Sequence, residues 1–320
     1  MSHRQTLPIL PVGFTIRAPG DQDLDACVTL LERCSEVKQG SDRITDVELR
    51  GEWNTPGAAL DRNFRVIVDP TGRMVAYMEA WDVQNPPVSI WTWGRVDPDF
   101  EGLGLGTALM AWAEEVARAA VDRCPPHAEV VMRAGAVNGY GPACALFEDL
   151  GLSQVRQFQR MEIRFDGSPP APPIWPEGIQ LRPYRHPEDL AAVVQADQDA
   201  FRDHWGFMER SHEEELAYWR HVTESDPHFD PAYWFVAVDG HEIAGICLCS
   251  PSSTEAPDLV YIRIVGVRRP WRRRGLASAL LQHVFTIAHD AGQAGVMLGV
   301  DSDNISGATR LYTRAGMKPT

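Results

Sequence analysis

Two stretches of this chain, about half its length apart, repeat one another, and a repeat of that size restricts the fold more than any single motif. NGYGPACALFEDLGL (Asn138–Leu152) aligns with NISGATRLYTRAGM (Asn304–Met317), pairing Asn138 with Asn304, Phe147 with Tyr312 and Gly151 with Gly316 at offsets of 166, 165 and 165. Strand-like openings begin at Phe14 and Ile179, 165 apart, and glycine loops sit at Gly104 and Gly275, 171 apart. Offsets this constant at separate landmarks indicate a duplicated domain. A chain of 320 residues has room for two units of about 150 residues, each large enough to bury its own core.

The join is expected at Asp166–Gly178, DGSPPAPPIWPEG, where five of thirteen residues are proline. Such a run favours extended, semi-stiff backbone and neither helix nor ladder strand. The expected organisation is a first domain over 1–165, a linker over 166–178 and a second domain over 179–320. RMEIRF (Arg160–Phe165) alternates as the closing strand of the first, and IQLRPYR (Ile179–Arg185) opens the second. Each half then runs through an amphipathic helical stretch, Leu24–Cys34 or Asp189–Phe201, and β-rich segments. A strand, a glycine loop, a helix, a strand and a last helix follow. That order is an α/β plan, a central mixed β-sheet flanked by helices in each half.

The net charge of −14, from 44 acidic against 30 basic residues, disfavours nucleic acid and anionic membrane and mildly favours a cationic substrate. No uninterrupted apolar run is long enough to span a bilayer, and MSHRQTLPILPVGF, with its short apolar run broken by two prolines, does not read as a signal peptide. The six cysteines include no CxxC pair; Cys247 and Cys249 fall on one side of a strand as buried small hydrophobes. A reduced, cytoplasmic setting and no metal site are expected.

The most informative segment is Leu259–Gly292. Leu259–Val267 is β-branched and reads as a buried strand. From Leu276, apolar residues recur at 276, 280, 281, 284, 287, 288 and 291, the stripe of an amphipathic helix. Between them lies Arg272-Arg273-Arg274-Gly275-Leu276-Ala277. Unpaired N–H groups of a first helical turn and the helix dipole attract phosphate, small residues let it approach, and arginines add charge-assisted donors. The spacing is neither a P-loop nor the Rossmann fingerprint.

It matches Q/R-x-x-G-x-G/A, and here the chain resembles the GNAT acetyltransferase superfamily, in a tandem arrangement of the mycothiol synthase kind. Asn304, Ala308, Leu311-Tyr312 and Gly316-Met317 extend the resemblance. It implies that acetyl-CoA binds along Arg272, Arg273, Arg274, Gly275, Leu276, Ala277 and Ser278, with Asn304 on the pantetheine arm. Backbone N–H groups of Val265, Gly266 and Val267 would hold the acetyl carbonyl. Tyr312 would be the general acid for the departing thiolate, a role a phenol suits. For the general base, Asp258 comes first, ahead of Glu255 and Asp301.

In the first half Glu101 stands where Arg272 does and Phe147 where Tyr312 does, so that half is expected to have lost turnover. Trp91 and Trp93 read as packing residues. Trp205, His204 and the Glu213–Glu215 run fall where the family builds its acceptor lid. No counterpart of RMEIRF follows Gly316-Met317, so either the second sheet lacks its closing strand or the chain is a truncated form. The expected reaction is acetyl transfer to a small-molecule primary amine, with a protein or peptide N-acetyltransferase or a non-catalytic acyl-CoA sensor as the other readings. Oligomeric state stays open.

Overall fold

The computed structural model describes residues 10–37, 43–137, 139–208, 210–302 and 307–320. The chain divides into two compact units, Met1–Ser153 and Gln154–Thr320. Asn138 and Asn304, the paired asparagines of the repeat, lie outside the described residues.

The first unit contains β1 (Thr15–Arg17), α1 (Leu24–Val37), α2 (Asp46–Trp53), α3 (Leu60–Asn63), β2 (Phe64–Val68) and β3 (Met74–Trp81). It continues with β4 (Ser89–Val96), α4 (Leu105–Val121), β5 (Val131–Ala134) and α5 (Gly141–Asp149). Its sheet has the order β1-β2-β3-β4-β5, antiparallel except for the parallel β4–β5 pair. β3 is buried along nearly its whole length because both its faces are covered. Cys27, Leu30, Leu31 and Cys34 of α1 recur at helical spacing and pack with Tyr77, while Leu105, Leu109 and Ala113 of α4 pack with Ala76 and Met78.

The second unit contains β6 (Phe158–Arg164), β7 (Ile179–Pro183), α6 (Leu190–Phe201), α7 (His212–Ser225), β8 (Trp234–Asp239) and β9 (Glu242–Ser250). β10 (Leu259–Val267), α8 (Leu276–Asp290), β11 (Gly295–Asp301), α9 (Ala308–Arg314) and β12 (Lys318–Pro319) complete it. The strand over Leu259–Val267 and the helices from Leu276 and to Arg314 fall where periodicity puts them. Along β9, Ile246 and Leu248 face the α6–α7 side, and Cys247 and Cys249 face α8 and α9. The two cysteines lie buried side by side, Sγ to Sγ 3.7 Å, as strand alternation requires.

One expectation about the strands is overturned. β6, read as the closing strand of the first sheet, belongs to the second, whose order is β12-β6-β11-β10-β9-β8-β7. It runs antiparallel to β11 from Arg164 opposite Gly295 to Phe158 opposite Asp301, and β12 pairs with its other edge. The second sheet therefore has a closing strand, taken from sequence ahead of the linker. The proline-rich stretch does lack helix and strand, but it connects β6 to β7 of one sheet instead of separating the units. A strand satisfies its backbone wherever a complementary edge is presented, and sequence order does not say where that edge is.

Candidate active site

β10 and β11 pair in parallel only from Leu259 opposite Gly295 to Ile262 opposite Leu298. At that point the β9–β10 register shifts between Ile262 and Ile264, so Arg263 is bulged. A bulge bends the strand and sharpens its twist. Beyond it, Ile264–Val267 and Gly299–Asp301 diverge and turn their backbone edges toward a cleft of about 1090 Å³. Val265, Gly266 and Val267 line it on one side, with Gly299, Val300 and Asp301 on the other. Unpaired strand edges need partners, and an extended ligand between them can supply these.

The floor of the cleft is the start of α8. Gly275 caps the helix in the left-handed region at φ +90°, and a Cβ there would meet nothing within 4 Å. Leu276 is buried and anchors the helix, while Ala277 and Ser278 border the cleft. The first-turn N–H groups thus open onto the space between the strands.

The three loop arginines differ in what they do. Arg272 turns inward: its Nε donates to Val267 O at 3.0 Å, and its Nη2 to Ala200 O at 2.9 Å. Its Nη1 reaches Asp203 Oδ2 at 2.9 Å. It ties the loop to β10 and to the end of α6. Asp203, gripped by Arg269 and Arg272, is held at about 2, below the usual carboxylate range. Arg274 donates to Glu177 O at 3.0 Å. Arg273 is exposed at the cleft, sits at φ +61°, and has no side-chain partner among the described residues. A non-glycine residue held in that region carries strain of about 1–3 kcal/mol, a cost that clusters at ligand clamps.

Tyr312 lies on α9, 7% exposed, and borders the cleft. Its position is set by the way the helix ends. Met317 N–H donates to Tyr312 O at 3.0 Å and Gly316 N–H to Thr313 O at 3.1 Å, with Gly316 at φ +96°. This is the paired-bond stop that requires glycine, and it brings residue C″ onto C3. Met317 and Tyr312 accordingly share one core cluster. The Gly-Met element thus pins the tyrosine. Burial, with Cys247 nearby, pushes the phenol up to about 12. It is a neutral donor with no hydrogen-bond partner among the described residues.

Asp258, the first expectation for a general base, does not line the cleft. It precedes β10 at the end away from the bulge, is half exposed, and is ion-paired with Arg164. Glu255 pairs with Arg160 and is also outside the lining. Asp301 does border the cleft, with Arg156 Nε 3.9 Å away. His204 and Trp205 border the cleft, with Arg156 stacked 4.8 Å over the Trp205 ring. The Glu213–Glu215 run forms the first turn of α7, where Glu214 completes a capping box with Ser211 and Glu215 pairs with Arg210 at 3.1 Å. None of the three glutamates is in the lining.

The first unit repeats this geometry with altered side chains. Gly104 caps α4 at φ +79°, and α5 ends with the same paired bonds, Leu152 N–H to Phe147 O and Gly151 N–H to Glu148 O, both 2.9 Å. Phe147 occupies the position of Tyr312 and packs into the core. Glu101 accepts the Tyr140 hydroxyl. Trp93 packs edge-on against Tyr77 and under Arg95, whereas Trp91 is 42% exposed.

A helix start with open N–H groups, a parted strand pair and a neutral phenol thus meet at one cleft. The acetyltransferase (GNAT) family matches residues 25–151 and again residues 191–317. The mycothiol acetyltransferase of Streptomyces scabiei is 32% identical over 304 residues, covering 91% of this chain and 87% of that one. That of Rhodococcus erythropolis is 26% identical over 313 residues, covering 95% of each. Among solved structures, a GCN5-related N-acetyltransferase from Sphaerobacter thermophilus is 33% identical at TM-score 0.76, covering 98% of this chain and 94% of that one. A tandem GNAT protein of the clavulanic acid biosynthesis pathway, 18% identical over 96% of this chain and 95% of its own, shares the fold at TM-score 0.68. The chain belongs to the acetyltransferase (GNAT) family, carries its domain twice, and is an acyltransferase. Among the described residues no helix is long and apolar enough to cross a membrane.

Proposed function

We propose that the second unit transfers the acetyl group of acetyl-CoA to a primary amine of a small molecule by direct attack. The observation that carries this reading is the convergence of Tyr312, the α8 N-terminus and the parted β10–β11 edges on one cleft. The pyrophosphate lies at the first turn of α8, with Arg273 as the arginine left for it and Arg272 holding the loop in shape. The pantetheine arm lies between the strands, and the thioester carbonyl takes backbone N–H from Val265–Val267. Tyr312 protonates the leaving thiolate. The curated relatives named mycothiol acetyltransferases support an acceptor of that small-molecule class over a protein or peptide. The first unit, with Phe147 and Glu101 at the two chemical positions, shapes the protein without turning over.

The test is thiol release and product mass across an amine panel that includes amino sugars, amino acids and N-terminal peptides. Small amines should be acetylated and peptides not; acetyl-CoA binding with no turnover on any amine would favour the sensor reading. Arg273→Ala should weaken acetyl-CoA binding by about tenfold, since one charge-assisted contact is worth roughly 1.5–3 kcal/mol. The loss should shrink at high salt in titration calorimetry, because the contact is exposed. An unchanged Kd would take Arg273 off the pyrophosphate.

A further inference from the structure

We propose that His204 is the general base that takes the proton from the acceptor ammonium, with Asp301 of β11 steadying the imidazolium; this rests on the acetyl-transfer reading above. Among the described residues, three groups bordering the cleft can accept a proton: Asp203, His204 and Asp301. Asp203 is committed to Arg269 and Arg272. Asp301 is engaged by the Arg156 guanidinium, with Nε 3.9 Å from its carboxylate. The His204 ring nitrogens have no hydrogen-bond partner among the described residues, so the imidazole is open to a substrate.

The fold holds that ring in place. His204 N–H donates to Phe201 O at 2.8 Å, fixing the turn that ends α6, and the imidazole meets the Phe201 ring edge-on at 4.5 Å. The charged groups acting on it are Arg272 from the loop, Asp203 on its own segment and Asp301 from β11. Burial, then Arg272, lowers its titration below the ordinary histidine value, so the base is neutral and ready at pH 7. Asp301 works the other way and favours the charged form once the proton arrives.

In the step, R–NH3⁺ gives one proton to His204, which passes it to water. The freed nitrogen pair forms the C–N bond and the carbonyl π pair moves to oxygen. On collapse C=O re-forms and C–S breaks. Sulfur takes the Tyr312 proton, and the second proton shed by nitrogen restores the phenol through solvent. One ammonium ion and one thioester become one amide, one thiol and one proton.

The test is the pH dependence of kcat/KM for the best amine of the panel, from about pH 5 to 9, in wild type, His204→Gln and His204→Ala. His204→Gln should lose about 10²-fold at neutral pH. The limb that rises from acid pH in wild type should vanish, leaving only the ionisation of the amine. Added imidazole should restore part of the rate to His204→Ala, while acetyl-CoA affinity stays within about twofold, changes a merely structural role would not produce. Wild-type-like rates, or a retained acid limb, in a variant that still binds acetyl-CoA would overturn the assignment. A wild type that binds acetyl-CoA but acetylates no amine would overturn the reading it rests on as well, and the two failures are thereby distinct.

Discussion

Tyr312→Phe is expected to lower kcat by about 10²–10³ while leaving acetyl-CoA affinity nearly unchanged. In the proposed reaction the thiolate leaves from this cleft and needs a donor within reach. Tyr312 is a phenol there, and its titration at about 12 keeps the proton on at every usable pH. The sign follows from the direction of the shift. A raised value means the donor form is present throughout the range below about 12 and is lost only above it. Tyr312 therefore contributes no alkaline fall in rate between pH 7 and about 10, and any such limb must come from elsewhere. The variant should fold normally, because Phe147 fills the equivalent place above the same helix stop in the first unit. Steady-state kinetics with calorimetry on the same preparation checks both halves of the claim; a full rate in Tyr312→Phe would remove the phenol from the mechanism.

A fragment starting at Ile179, after the proline-rich stretch, should fail to fold, whereas one starting at Gln154 should fold cooperatively. The first cut discards β6, which pairs with β11 at seven positions and lies between it and β12. Met161 of β6 is fully buried in the core that holds Tyr312 and Met317. Removing a buried methionine side chain alone costs about 2–5 kcal/mol, and exposing the β11 edge adds unpaired backbone. Domains are stable by only about 5–15 kcal/mol, so the shorter fragment has little or nothing left. Circular dichroism melts and size-exclusion profiles of the two fragments decide the matter. A sharp, equal transition in the Ile179 fragment would mean that β6 is dispensable.

Much of the site is legible from neighbouring residues alone. The loop at Gly275 can be read because strand, positive-φ turn and amphipathic helix are written in consecutive residues. Tyr312 is singled out by the resemblance to the GNAT pattern, and the helix stop that positions it lies four and five residues on, at Gly316 and Met317. What could not be read is which way a polar side chain turns once the strands assemble. Arg272 looked like a phosphate ligand, yet it is spent on Val267 and Asp203, contacts made only after α6 packs beside β10. Asp258 and Asp301 are both carboxylates at ends of neighbouring strands; the parallel pairing puts one at the closed end and the other at the open end.

Sequence by itself determined the duplication, through a repeat at a nearly constant offset, and the α/β elements and the loop, which rest on periodicity or capping within a few residues; the tyrosine came with the resemblance to the family pattern. The tertiary structure decided which sheet receives β6, which arginine of the three stays open, and which titratable groups border the cleft. Those outcomes depend on strand edges and partners far apart in the chain, and local sequence carries no record of which distant edge will be free.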